Sequence, residues 1–282
     1  MSERVGVIGA GTMGLGIAYV FAASGSEAVL VEPDPQQGAR ALDLARTQAA
    51  KAVDRGKLSP QVAETLPDRI QLVAQVGQLP EGLDLVVEAV PERPELKAAV
   101  LAEAEGREPA MLASNTSGLS IDGLAGGLRR PGRFLGLHFF NPVWSMSLLE
   151  IVRGGATEEA VLDAALAAAA RIGKETIVVR DAPGFATSRL GVAIGLEAMR
   201  MYEDQVASAA DIDRAMELGY RHPMGPLKLT DLVGLDVRLD IARHLAKTYG
   251  SRFEPPRILV EKVEAGDLGR KTGRGFHDWS QN

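Results

Sequence analysis

The chain has 282 residues, of which 46% are apolar, and it carries a formal net charge of −6. This length allows one large folded domain or two of ordinary size. The absence of cysteine excludes disulfides, thiolate catalysis and sulfur-ligated metals. The negative charge predicts no general attraction for nucleic acid, so an anionic ligand must be met by a local patch. We find neither a basic leader with a cleavage site nor a run of about 20 uncharged apolar residues, and expect a cytoplasmic protein with no membrane partner.

Short runs rich in β-branched residues alternate with longer segments rich in alanine and leucine through the first two thirds of the chain. Eight of these runs predict strands: Val5–Ile8, Ala28–Val31, Ile70–Leu72, Leu85–Val87, Met111–Ala113, Phe134–Leu137, Leu148–Val152 and Thr176–Val179. This alternation is typical of strands that are each followed by a crossover helix. The expected fold class is therefore α/β, with a doubly wound and mostly parallel sheet.

The alternation of predicted strands and helices ends after Asp181, where Pro183 and Gly184 mark a boundary in the sequence. The remaining sequence predicts helices at 184–203, 211–218, 227–249 and 256–265, and no strand. The first of these helices is apolar on more than one face, which predicts burial within the chain or against a second subunit. We therefore expect two domains, an α/β domain over residues 1–180 and an all-α domain over residues 181–282.

Three glycines lie between the first predicted strand and the following helix, as Gly9-x-Gly11-x-x-Gly14. The first permits a tight turn, the second lets the backbone approach a diphosphate, and the third lets helix and strand pack closely. Unpaired N–H groups of the first helical turn, at Thr12 and Met13, favour an anionic ligand. This arrangement predicts a Rossmann-like dinucleotide site rather than a simple corner in the chain.

The second predicted strand ends at Glu32, which follows the glycines at the spacing of roughly 20 residues expected for a ribose-binding acid. Its carboxylate can accept hydrogen bonds from the ribose hydroxyls and would repel a 2′-phosphate. No arginine or lysine follows in EPDP to reverse that preference. The sequence therefore predicts NAD rather than NADP as cofactor.

A nicotinamide cofactor needs a protein group that handles a proton while a hydride moves. His138 ends an apolar run in FLGLHFFNP, and Glu150 lies in a second apolar run, SLLEIVRG. A carboxylate in apolar surroundings is costly to ionise unless a cation such as imidazolium lies beside it. The two residues predict an acid–base dyad. The alternatives are a structural histidine and a Glu150 paired with Arg153.

Polar residues Asn115, Thr116, Ser117 and Ser120 follow the predicted strand at 111–113. Such side chains suit a nicotinamide amide or a substrate oxygen. Serine and asparagine also commonly cap the next helix. The residues alone leave both interpretations open.

Seven motifs occur in one order along the chain: GAGTMGLGIA, SNTSGLSI, GLHFFNPV, LLEIV, DAPGF, HPMGPLKLTDLVGLD and GRKTGRGF. Together they resemble the L-3-hydroxyacyl-CoA dehydrogenase family over residues 4–279. The resemblance implies an NAD-binding domain with a small helical insertion, and a helical C-terminal domain that binds substrate and forms a homodimer. It also implies reversible, NAD-dependent oxidation of an (S)-3-hydroxyacyl-CoA, of short chain length such as 3-hydroxybutyryl-CoA, to the 3-oxoacyl-CoA.

The resemblance also implies roles for single residues. His138 corresponds to the catalytic histidine, Glu150 to its paired acid, Ser117 to the serine that binds the reacting oxygen and Asn141 to the asparagine that steadies the site. The positions implied to contact the cofactor are Glu32, Glu92, Lys97 and Asn115. Ser188, in GFATSRL, stands where the family usually has a substrate-contacting asparagine. Serine is shorter and lacks an amide donor, which bears on substrate choice more than on reaction type.

Coenzyme A carries phosphates that an acidic protein must meet locally. The most basic stretch of the first hundred residues contains Arg40, Arg46, Lys51, Arg55 and Lys57. We expect Arg55 and Lys57 to contact the CoA nucleotide. A solvated helix face, balanced by Asp43 and Asp54, explains the same pattern equally well.

Other candidates are weaker. His244 and His277 are predicted to be solvated, without a paired acid, and no histidine or carboxylate spacing suggests a metal site. Two other functions also fit the pattern. One is a dehydrogenase of free hydroxy acids, such as gulonate or carnitine, on the same fold. The other is a non-catalytic NAD-binding protein.

Overall fold

The computed structural model describes residues 3–280. Tertiary contacts divide the chain into two compact units, one that ends at Asp181 and one that begins at Ala182. No helix in the described range is both long enough and apolar enough to cross a membrane.

The first unit is built on one eight-stranded sheet with the order β3-β2-β1-β4-β5-β6-β7-β8. The strands are β1 (Arg4–Ile8), β2 (Glu27–Val31), β3 (Ile70–Val73), β4 (Leu85–Glu88), β5 (Met111–Ser114), β6 (Phe134–Phe139), β7 (Leu148–Arg153) and β8 (Glu175–Arg180). All neighbouring pairs are parallel except β6 and β7, which are antiparallel. The predicted mostly parallel, doubly wound sheet is thus confirmed.

The reversal at β7 was not predicted from the sequence, although its cause is local. The connection between β6 and β7 consists of residues 140–147 and contains no helix. A parallel crossover needs about a dozen residues or more, whereas an antiparallel return can be short. The chain therefore has to turn back on itself at this point.

The helices of the first unit are α1 (Thr12–Ala23), α2 (Pro35–Asp54), α3 (Pro60–Thr65), α4 (Pro94–Glu105), α5 (Ile121–Ala125) and α6 (Glu159–Arg171). Strands β1 and β4 are buried on both faces, which explains why their sequences are almost entirely apolar. Ile17 and Phe21 of α1 pack into the same core as Leu30 and Leu85 of the sheet. Helix α1 is thus held rigidly against the sheet that carries the glycine motif.

The second unit contains α7 (Thr187–Glu203), α8 (Ala209–Gly219), α9 (Pro226–Val233), α10 (Leu235–Tyr249) and α11 (Arg257–Glu264). Its core includes Val192, Leu196, Leu227 and Leu239. The sequence prediction of one helix over 227–249 is wrong, because Gly234 divides it into α9 and α10. The φ angle of Gly234 is +104°, which a helix cannot contain and which glycine adopts most readily.

Candidate active site

A cavity of about 1030 Å³ lies in the first unit, at the carboxyl ends of its central strands. In open α/β sheets this edge is the usual place for ligands. Ten of the residues predicted to bind cofactor or to act in catalysis line it: Gly9, Gly11, Thr12, Met13, Glu32, Glu92, Asn115, Ser117, His138 and Asn141. The fold therefore brings together residues that lie far apart in the sequence.

The glycine motif forms a backbone cradle in this cavity. Gly9 has a φ angle of +100°, and a Cβ on Gly14 would lie 1.8 Å from the carbonyl oxygen of Gly9. A Cβ on Gly11, in contrast, would meet no atom within 4 Å. Helix α1 starts at Thr12 without a side-chain cap, so its first N–H groups have no side-chain partner. The cradle therefore fits a dinucleotide diphosphate.

Glu32 lies just beyond the end of β2 and is 9% exposed. Its carboxylate accepts hydrogen bonds from the backbone N–H groups of Ala10 (3.0 Å) and Asp34 (3.1 Å) and from Nε2 of Gln37 (2.9 Å). These bonds fix a negative charge on the cavity wall. A ribose diol can donate to this carboxylate, whereas a 2′-phosphate would be repelled, so the arrangement fits NAD.

His138 and Glu150 form a buried pair. They stand opposite each other in the register of β6 and β7, with 2.8 Å between Nδ1 of the ring and Oε2 of the carboxylate. Glu150 is fully buried and His138 is 7% exposed. The alternative pairing of Glu150 with Arg153 is wrong, because Arg153 forms its ion pair with Glu159 at 2.7 Å. Since Nδ1 is held by the carboxylate, Nε2 is the ring nitrogen suited to exchange a proton with a ligand.

The loop after β5 is fixed by short hydrogen bonds. The amide oxygen of Asn115 accepts the backbone N–H of Phe139 at 2.9 Å, which ties this loop to the end of β6. Oε1 of Glu92 accepts from the backbone N–H of Ser117 at 3.0 Å and from its hydroxyl at 3.4 Å. Ser120 accepts the N–H of Gly123 at 3.0 Å and caps α5. The capping interpretation is thus confirmed for Ser120, whereas Asn115 and Ser117 line the cavity and stay candidates for ligand contact.

Six of the predicted site residues do not line the cavity. Gly14 lies beneath the cradle and Glu150 behind the histidine. Arg55 and Lys57 are exposed just after α2, and Ser188 is a half-buried residue at the start of α7 in the second unit. Lys97 is also absent from the lining, because its ammonium is buried among carboxylates.

Two residues near the site were missed from the sequence. Glu88 ends β4 and is fully buried, and its only signal was a single charge inside the apolar run LVVEAV. Lys174 donates to the carbonyl oxygens of Val143 and Met146, both at 2.5 Å, and so holds the connection that follows His138. Burial lowers the pKa of Lys174. Nothing in the local sequence pairs this lysine with those carbonyls.

The prediction that His277 is solvated and lacks an acidic partner is wrong. Its Nε2 lies 2.7 Å from Oδ2 of Asp213, in the second unit. That hydrogen bond raises the pKa of His277 above its ordinary value of 6.5. The backbone N–H of His277 also donates to Asp231 at 2.8 Å. The residue fixes the C-terminal segment to two helices.

Comparison with known proteins identifies the family of this chain. The model of the 3-hydroxyacyl-CoA dehydrogenase NAD-binding domain matches residues 4–182, and that of the C-terminal domain matches residues 184–279. A 3-hydroxybutyryl-CoA dehydrogenase of Mycobacterium tuberculosis is 41% identical over 98% of both chains. One from Bradyrhizobium diazoefficiens is 38% identical over 98% of this chain and 95% of its own.

Solved structures agree with the sequence relatives. The crystal structure of (S)-3-hydroxybutyryl-CoA dehydrogenase from Ralstonia eutropha superposes with a TM-score of 0.94, at 35% identity and over 99% of each chain. The predicted fold class, NAD cofactor and oxidoreductase activity are therefore confirmed. The chain belongs to the 3-hydroxyacyl-CoA dehydrogenase family and is an NAD-dependent oxidoreductase.

Proposed function

We propose that the protein catalyses the reversible oxidation of short-chain (S)-3-hydroxyacyl-CoA, such as 3-hydroxybutyryl-CoA, to the 3-oxoacyl-CoA. The observation that carries this proposal is that His138, backed by the buried Glu150, lines a cavity that also contains the dinucleotide cradle. The names of the relatives support a short acyl-CoA over a free hydroxy acid. The reaction also needs an acid–base group beside a hydride acceptor, and this cavity contains such a group.

In the oxidation direction, Nε2 of His138 removes the proton of the C3 hydroxyl. Glu150 stabilises the imidazolium that forms, because a buried carboxylate 2.8 Å away compensates its charge. NAD would be held by the glycine cradle and Glu32 and would supply the acceptor for the C3 hydride. Ser117 holds the reacting oxygen by a hydrogen bond, and Asn141, on the same cavity wall, steadies the site. In reduction the histidine returns the proton.

The cofactor contacts are assigned by position in the cavity. Gly9, Gly11, Thr12 and Met13 would hold the diphosphate, and Glu32 the adenosine ribose. Asn115 bonds to Phe139, next to His138, and Glu92 bonds to Ser117, so these two lining residues would face the nicotinamide half. Arg55 and Lys57 are proposed to meet the phosphates of CoA, supported by their exposure and positive charge.

We also infer a homodimer through the helical second unit, in the cytoplasm. Several large apolar side chains are exposed on three helices that pack together, α7, α9 and α10. They are Leu190 (62% exposed), Ile194 (38%), and Leu229, Val233 and Val237 (41% each). Exposed apolar patches commonly mark subunit contacts. Sedimentation equilibrium tests this inference, and a monomer at micromolar concentration would contradict it.

The decisive experiment on the activity compares substrates. NADH-dependent reduction of 3-oxoacyl-CoA esters from C4 to C16 should give the highest kcat/KM at the short end, with NADPH far less effective. Gulonate and carnitine, assayed with NAD, should not be oxidised. Faster oxidation of a free hydroxy acid would favour the other dehydrogenase class. Binding of NADH without turnover of any acyl-CoA would indicate a non-catalytic protein.

A further inference from the structure

A chain of polar side chains begins at the buried end of β4. The carboxylate of Glu88 accepts hydrogen bonds from the backbone N–H of Val90 (2.7 Å), the ammonium of Lys97 (2.7 Å) and the hydroxyl of Ser114 (2.6 Å). Glu88 and Ser114 are both fully buried. Every contact of this carboxylate is therefore with a donor, which is the condition for keeping a charge in the protein interior.

Lys97 lies between two carboxylates and is 1% exposed. Besides Glu88, its ammonium donates to the carbonyl oxygen of Val90 at 3.1 Å and lies 3.3 Å from Oε2 of Glu92. The ammonium therefore donates two hydrogen bonds, to Glu88 and Val90, and forms an ion pair with Glu92. Because an unpaired buried ammonium is strongly unfavourable, the carboxylate of Glu88 fixes the position of the Lys97 ammonium. The charge in turn restrains Glu92, whose side chain is 40% exposed and would otherwise sample several rotamers.

Glu92 passes the restraint to the loop that carries Ser117. Its Oε1 accepts from the hydroxyl of Thr116 at 2.5 Å, as well as from the N–H and hydroxyl of Ser117. The oxygen of Thr116 itself accepts the N–H of Leu119 at 2.9 Å. One carboxylate thus fixes the backbone of the serine on the cavity wall, while the longer contact of its hydroxyl, at 3.4 Å, can be exchanged for one with a ligand oxygen.

We propose that Glu88 and Lys97 are positioning residues for Ser117, acting through Glu92. The resemblance to the family implied that Lys97 contacts the cofactor, whereas its ammonium is directed into the protein towards carboxylates. This inference rests on the oxygen-binding role proposed above for Ser117. It assigns to the buried ion pair an effect on kcat that is exerted through Ser117.

The test replaces Glu88→Gln and Lys97→Met together, so that neither charge is left buried without a partner. A glutamine can still accept from Val90 and donate to Ser114. We expect kcat with acetoacetyl-CoA to fall about 10-fold, and by more than any rise in the KM for NADH, which the release of Glu92 also affects. In a Ser117→Ala background, the same pair of replacements should change kcat less than about 2-fold, because the residue through which it acts is already gone.

A second measurement does not depend on turnover. Amide hydrogen exchange over residues 115–119, in the protein without ligands, should become about 10-fold faster in the double variant, since Ser117 N–H loses a fixed acceptor. Glu105→Gln is the matched control. Glu105 is the last residue of α4, the helix that contains Lys97. It is 4% exposed and accepts hydrogen bonds from the N–H groups of Arg129 and Arg130. Its replacement should lower stability and leave both kcat and exchange at 115–119 unchanged.

Three results for the Glu88→Gln/Lys97→Met variant would overturn the proposal. The first is a loss of kcat that multiplies fully with the loss caused by Ser117→Ala. The others are a raised KM for NADH at unchanged kcat, or unchanged hydrogen exchange at residues 115–119. Turnover by the unmodified enzyme is measured first and tests the proposed function separately. If that turnover is absent, the exchange rates alone decide the positioning role. If the double variant does not fold, Ser114→Ala removes a single donor to Glu88, and it should still accelerate exchange at 115–119.

Discussion

His138 on β6 and Glu150 on β7 are direct cross-strand partners, and this relation exists only because β7 runs antiparallel to β6. Residues directly opposed in an antiparallel pair have Cβ atoms about 5 Å apart, close enough for a histidine and a glutamate to bond. The short connection over residues 140–147 therefore has a chemical consequence. It places a carboxylate behind the imidazole, where its position depends on the ladder and not on a flexible loop.

Replacing His138 with alanine should lower kcat by about 10² to 10⁴-fold, the usual contribution of a general acid–base group. The cradle lies on other elements, so NADH binding should stay within about 2-fold of the unmodified enzyme. Stopped-flow turnover and fluorescence titration of NADH measure the two quantities. A variant with near-normal kcat would exclude the proposed role of this histidine.

Replacing Glu150 with glutamine keeps the shape of the side chain and an acceptor for Nδ1 but removes the charge that stabilises the imidazolium. We expect kcat to fall by about 10²-fold. In the His138→Ala background the same change should have little effect, because the two residues act as one unit. Losses that multiply in the double variant would show that Glu150 contributes independently of the ring.

Gly11 and Gly14 of the glycine motif should respond differently to replacement by alanine. Gly11→Ala places its methyl group in open space, so the thermal midpoint should change little while the KM for NAD rises by about 10-fold or more. Gly14→Ala drives a methyl group into the carbonyl of Gly9 and should destabilise the first unit itself. Thermal unfolding and NAD titration of both variants separate the effects. Equal destabilisation by the two changes would contradict the geometry.

Reversing the charges of Arg55 and Lys57 to glutamate tests their proposed contact with CoA. The KM for acetoacetyl-CoA should rise by about 10-fold, with the KM for NADH unchanged, because a phosphate would then face like charge. Arg46→Glu serves as the control, because Arg46 lies in the preceding helix α2 and is already paired with Asp43 at 2.8 Å. If Arg46→Glu raises the KM for acetoacetyl-CoA as much as the Arg55 and Lys57 reversal does, the effect comes from the overall charge and not from a local contact.

His277 predicts a pH dependence of stability in the second unit. Its bond to Asp213 raises its folded-state pKa above the ordinary 6.5. The resulting stabilisation is complete below pH 6.5 and is lost as the pH rises through the folded-state pKa. Relative to the unmodified protein, His277→Gln should be less stable by on the order of 1 kcal/mol at pH 6, with the difference shrinking towards pH 9. Denaturant unfolding across this range measures it.

His244→Gln is the control for that experiment, since His244 is exposed on α10. Its replacement should leave the free energy of unfolding nearly unchanged at every pH. A constant, pH-independent deficit in His277→Gln would indicate that the histidine contributes by packing and not by its charge.

The sequence by itself determined the strands of the sheet, the cradle, the cofactor and the family. Each depends on short-range rules. Strand periodicity reflects which faces are buried, the glycines reflect local backbone sterics, and Glu32 follows at a fixed distance along one βα unit. The same rules missed Gly234, because a glycine inside an apolar helical pattern shows its positive φ only once the neighbouring helices are packed.

Tertiary structure alone decided the partners of the charged groups. Lys97 was expected at the cofactor and lies between Glu88 and Glu92, and His277 was expected in solvent and binds Asp213, 64 residues earlier in the chain. A buried charge is tolerated only where another element supplies its counter-charge. The spacing of residues in the sequence does not show which distant residues come into contact. For the same reason, the antiparallel direction of β7 places Glu150 behind His138. The sequence next to either residue does not show this pairing.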